Sequence, residues 1–76
     1  MNADRRKILT SISEQLEDLK SQLEDVKYDE EEAFENRPDS FKESETGQMS
    51  QDAISNMEDA LSYLEDAISN IDSASE

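Results

Sequence analysis

A seven-residue repeat governs the second half of the chain. Asp52-Ala53-Ile54-Ser55-Asn56-Met57-Glu58, Asp59-Ala60-Leu61-Ser62-Tyr63-Leu64-Glu65 and Asp66-Ala67-Ile68-Ser69-Asn70-Ile71-Asp72 follow one another without a break. Apolar residues recurring at alternating steps of three and four share one stripe of an α-helix, whereas a half-buried strand requires a step of two. With each heptad written abcdefg, Ile54, Leu61 and Ile68 take a, Met57, Leu64 and Ile71 take d, and Ala53, Ala60 and Ala67 take g, which widens the apolar face. The first half obeys the same rule. Leu9, Leu16 and Leu23 at a alternate with Ile12, Leu19 and Val26 at d, Ala33 falls at the next d beside Phe34, and Glu30 is a lapse where an apolar a residue is due. Met49 and Met57 are expected in the core.

The only proline and the only glycine separate these two patterns. Pro38 drives Arg37 out of the helical region, so the first helix is expected over about residues 3–35 and a turn over about 36–44. A second helix follows over about 45–74, capped by a Ser40–Glu43 capping box or by Ser44 or Thr46. Phe41, isolated in the connector, is expected to fold back onto the end of the hairpin. So short a connector makes the helices antiparallel neighbours, and the expected fold is all-α: a single coiled-coil-like αα-hairpin domain. Charge fixes a register. In an antiparallel pair the e positions face each other, and Lys20 with Glu65 and Lys27 with Glu58 are both e–e pairs whose residue numbers sum to 85. The same alignment is expected to bring Arg5, Arg6 and Lys7 beside Asp72 and Glu76. The Ala53, Ala60 and Ala67 face, opposite Gln15, Gln22 and Ile8, leaves apolar surface that a second hairpin would cover, giving a homodimeric four-helix bundle.

Composition limits the chemistry available to such a fold. Cysteine and histidine are absent, which removes disulfides, thiolate zinc sites and imidazole bases. The carboxylates follow no EF-hand spacing, and a di-iron bundle would need Glu-x-x-His, so no metal or cofactor is expected. A two-helix hairpin offers no cleft for paired catalytic carboxylates; no catalytic residue is assigned and the chain is not expected to be an enzyme. Arg5-Arg6-Lys7 before Ile8-Leu9 lacks the uninterrupted apolar run and cleavage site of a signal peptide, and no apolar run is long enough to cross a bilayer; the expected location is cytoplasmic.

Charge is the feature most informative about function. The chain carries 21 Asp and Glu against 7 Lys and Arg, a net charge of -14, which repels nucleic acid and anionic membranes as direct partners. Its distribution is uneven: Glu43 to Glu76 holds nine carboxylates and no basic residue. Asp52, Glu58, Asp59, Glu65, Asp66 and Asp72 occupy rows e and f of the second helix, forming a ladder that repeats about every 10.5 Å, near every third phosphate of a nucleic-acid strand. Solubility requires a net charge of only about 2 to 8 in magnitude for a small domain, so the surplus points to a cationic partner. Tyr28 at f and Tyr63 at c point away from the seam, and Tyr63 joins the ladder as a candidate contact. The bland alternative is that the ladder is a solvated face.

Several stretches carry a resemblance: Met1-Asn2 with Arg5-Arg6-Lys7, Glu32-Ala33-Phe34 through Asn36 and Pro38, Ser44-Glu45 with Gly47, and the closing Asp-Ala-Ile repeats. Through them the chain resembles short, uncharacterised acidic helical-hairpin proteins of bacterial phages, prophages and related mobile elements. That resemblance implies a mobile-element accessory protein, among which acidic DNA mimics that block host nucleases or repressors are a recurrent type. The expected function is therefore an inhibitor that occupies the basic nucleic-acid-binding surface of a host protein, such as a defence nuclease, through Asp52, Glu58, Asp59, Tyr63, Glu65, Asp66 and Asp72. The alternative is a structural hairpin whose role is self-association or helix-mediated partner binding.

Overall fold

The computed structural model describes residues 1–76 as two long antiparallel helices, α1 (Ala3–Glu35) and α3 (Glu45–Ala74), joined by a single helical turn, α2 (Asp39–Lys42). Asn2 caps α1 by accepting the Arg5 N–H at 2.8 Å, and the chain leaves the helix at Asn36, two residues before Pro38. Ser44 caps α3 by accepting the Gly47 N–H at 3.1 Å, and its hydroxyl donates to the Phe41 carbonyl. The other cap expectation is corrected: Ser40 lies inside α2 and Glu43 ends it, because Pro38 itself holds the cap position, its carbonyl accepting the Phe41 and Lys42 N–H groups so that the helical turn begins at Asp39. No helix is long and apolar enough to cross a membrane.

The rod measures 58 × 15 × 12 Å, one helix thick and two wide, so each helix can bury only the side turned toward its neighbour. On α3 that side is the expected one: Leu61 and Ile68 are buried, and Ile54, Met57, Leu64 and Ile71 are half-buried. On α1 it is not. Leu9, Leu16 and Leu23 of row a are half-buried, but Ile12, Leu19 and Val26 of row d remain 39, 53 and 57% exposed. Row e takes their place: Ser13 and Phe34 are buried, and Lys20 and Lys27 are half-buried. Row e carries polar cross-links between the helices. Ser13 Oγ donates to Asp72 at 2.6 Å, Lys20 Nζ lies 3.2 Å from Glu65, and Lys27 Nζ lies 3.9 Å from Glu58. Each of these pairs sums to 85, so the expected register holds while α1 turns its e row into the seam.

The same register corrects the expectation for Arg5, Arg6 and Lys7. It sets residue 9 opposite residue 76, so the basic triplet overhangs the end of α3, and Asp72 is already bonded to Ser13. All ion pairs of the chain belong to Lys20, Lys27 and Lys42. Met49 is also corrected: it is 65% exposed, because α3 opens its seam with Gly47 and Ser50 and turns Met49 the other way. The Glu30 lapse is compensated by Ser50, whose hydroxyl donates to the Glu30 carboxylate.

At the closed end the connector packs on the first turn of α3. The Arg37 guanidinium sits 4.9 Å over the Phe41 ring, Lys42 Nζ lies 5.7 Å from the Phe34 ring centre, and the same ammonium is 3.4 Å from Glu35. Gly47 is buried beneath this clasp. A Cβ there would stand 2.7 Å from the Lys42 carbonyl oxygen and 2.9 Å from its carbon, and closer still to the Phe41 carbonyl oxygen. Close approach of backbone, not backbone conformation, therefore requires the glycine.

Candidate acidic interaction surface

Rows e and f of α3 carry the sequence-predicted carboxylates, but the fold assigns the two rows different work. Row e faces α1, where Glu58, Glu65 and Asp72 are engaged by Lys27, Lys20 and Ser13. Row f points outward. Asp59 and Asp66 have no cation within the chain, and Asp52 accepts only the Gln48 amide, at 3.0 Å. Tyr63 stands between Asp59 and Asp66, four residues after one and three before the other, on the same helical face and 71% exposed. The outward part of the candidate site is thus three aspartates and a tyrosine.

α1 adds a second wall that the sequence reading missed. Lys20 lies 3.8 Å from Glu24 as well as 3.2 Å from Glu65, and Lys27 lies 3.3 Å from Glu31 as well as 3.9 Å from Glu58. Each lysine therefore bridges one carboxylate from each helix. Open grooves run along this side: one is lined in part by Glu24, Tyr28, Glu31, Glu58 and Glu65, the next by Glu17, Glu65, Asp72 and Glu76. Glu17, Glu24 and Glu31 recur at steps of seven, the same spacing as Glu58, Glu65 and Asp72, and that periodicity was the available signal. Two acidic rows thus flank a floor that holds two lysines.

The electrostatics follow from the arrangement. The hydrogen bond to Glu65 is the main cause that raises the Lys20 ammonium above the ordinary lysine value of 10.5; partial burial opposes it, and the charges of Glu65, Glu17 and Glu24 add to it. No three acidic side chains converge closely enough to hold a metal ion. What the surface offers is a field of anions held along two helices and open to solvent. Comparison with known proteins gives no further guide: the chain matches no family model, and no curated protein or solved structure is significantly similar to it.

Proposed function

We propose that this protein is an acidic interaction module that inhibits a basic, nucleic-acid-binding host protein by occupying its phosphate-binding surface. One observation carries the reading: the outward row Asp52, Asp59 and Asp66, with Tyr63 among them, lies unneutralised on a helix that contains no basic residue. Leaving such a row unpaired forgoes the few tenths of a kcal/mol that each (i, i+4) Glu–Lys pair gives a helix, and this has a use if a partner supplies the cations. The spacing supports it, since a step of seven residues places charges about 10.5 Å apart along the axis, near every third phosphate. A defence nuclease fits this description, and a mobile-element accessory protein acting in the cytoplasm is the biological setting we infer.

The test is affinity capture from host lysate, wild type beside an Asp52→Asn/Asp59→Asn/Asp66→Asn variant that leaves the e-row cross-links intact. Basic, DNA-handling proteins should be recovered with the wild type and lost with the variant. Recovery of the same proteins by both would remove the mimic reading.

A second reading is favoured by the opposite flank, where Ile8, Ile12, Leu19 and Val26 are exposed along α1. We propose that the hairpin self-associates there into a four-helix bundle. The two readings are compatible, because the apolar flank and the acidic ladder use different rows.

A further inference from the structure

We infer that the apolar flank takes a second copy of this chain in the antiparallel sense, α1 against α1 of the partner, about a two-fold axis at Leu19. The inference rests on the self-association reading and specifies its geometry. On the uncovered side of α1, row d reads Arg5, Ile12, Leu19, Val26 and Ala33, and row g beside it reads Ile8, Gln15, Gln22 and Asp29. In a chain of which 37% is charged, these rows carry charge only at their two ends, a cation at one and an anion at the other. Arg5 has no ion-pair partner within the hairpin, and neither has Asp29.

That end-to-end asymmetry decides the orientation. A parallel pair sets Arg5 beside Arg5 and Asp29 beside Asp29, like charges at both ends of the seam. An antiparallel pair about Leu19 sets Ile12 against Val26 and carries Arg5 of each copy to the end that holds Asp29 of the other, about one helical turn away, within reach of an arginine. A two-fold interface must be complementary to itself, and this flank is so only when reversed. Rows d and g themselves hold no anion for a basic protein other than Asp29.

The area exposed by the rod is large enough for such an occupant. The hairpin exposes 5586 Å², whereas a compact globule of 8.7 kDa exposes about 4,700 Å². The surplus of roughly 900 Å² per chain is close to the ~800 Å² that each partner contributes to a standard stable interface. The radius of gyration, 17.2 Å, likewise exceeds the ~11 Å expected of a compact 76-residue domain.

Because the chain has no cysteine, single introduced thiols report the orientation directly. Ile12→Cys and Val26→Cys proteins are mixed, equilibrated under reducing conditions and then oxidised, with sedimentation velocity run on the wild type. The inference expects a wild-type dimer, and a mixed disulfide joining one variant to the other well above either homodisulfide. A wild-type monomer at tens of micromolar in high salt would overturn self-association itself. A wild-type dimer with homodisulfides dominant would leave self-association standing and overturn the antiparallel seam. A charge-swap series gives a second readout: Arg5→Glu alone should weaken dimerisation by about threefold to tenfold through two symmetry-related exposed pairs, and Arg5→Glu/Asp29→Lys should restore it. No change on the single substitution is the parallel result and would contradict the inference.

Discussion

Replacing Gly47 with alanine sets two effects of opposite sign against each other. Gly47 lies in the first turn of α3, where alanine is intrinsically better by about 0.4–1 kcal/mol through helix propensity and the entropy of the unfolded chain. Against this, the new methyl group would meet the Phe41 carbonyl oxygen and both carbonyl atoms of Lys42, the last two at 2.7 and 2.9 Å. These are backbone atoms, so no side chain can swing away and the connector must move as a body. Overpacking of that kind costs about 1–3 kcal/mol, and displacement of the connector also weakens the Ser44 cap, a further ~1 kcal/mol. The net expectation is a loss of about 1–3 kcal/mol. In a domain of this size each 1 kcal/mol moves Tm by roughly 4–8 °C, so the midpoint should fall by about 5–20 °C. Thermal melts followed by circular dichroism at one fixed protein concentration measure it, with Gln51→Ala, at an exposed site on the same helix, as the propensity control. A Gly47→Ala protein as stable as the control would refute the close approach of connector to helix.

Ser13→Ala removes a buried hydroxyl that donates to Asp72, and should cost about 1 kcal/mol in chemical denaturation, since Asp72 keeps its access to water; an unchanged midpoint would count against the e-row seam. Phe34→Ala, one of the few buried apolar side chains, should cost about 3–5 kcal/mol, and a near-native melt would show that the ring is not packed. For Lys20 the sign follows from its raised folded value: the contribution is fully present below the unfolded value of 10.5 and is lost as pH rises through the folded one. The difference in Tm between wild type and Lys20→Gln should therefore hold from neutral pH to near 10 and close above it; closure already at pH 8–9 would contradict the Glu65 hydrogen bond as its cause. Added salt should raise stability, because screening relieves more repulsion among 21 acidic groups than it costs the few exposed pairs, and a steady fall in midpoint up to 1 M salt would reverse that balance.

The hairpin and its register were legible because two independent patterns agreed. Heptads in both halves demanded helices, and Lys20–Glu65 with Lys27–Glu58 fixed a single alignment, which the structure extends to Ser13–Asp72. The rotation of α1 was not legible. A rule that seats apolar residues inward places Ile12, Leu19 and Val26 in the seam, but a rod one helix thick covers only one side of each helix, and row e, which carries the polar cross-links, lies on that side. Ser13 stood at the right position to be found by extending the sum of 85; as an uncharged residue it gave no signal in a search for ion pairs. The cap of α3 was ambiguous because Ser40, Ser44 and Thr46 are locally equivalent, and what selects Ser44 is the connector crossing Gly47, a tertiary contact. The acidic surface was half legible. The α3 ladder stands out because no cation interrupts it, whereas Glu17, Glu24 and Glu31 are hidden in a first helix of mixed sign until the register brings them beside Glu58, Glu65 and Asp72.

The role of the outward aspartates is tested most directly by competition on whichever basic partner the wild type captures. A titration of that partner with the hairpin, repeated at several salt concentrations and with duplex DNA added, reports whether protein and nucleic acid share one surface. Our account predicts mutual exclusion, affinity that falls steeply with salt, and loss of binding in the Asp52→Asn/Asp59→Asn/Asp66→Asn variant. A ternary complex of partner, DNA and hairpin, or a variant that binds with unchanged affinity and unchanged salt slope, would contradict it.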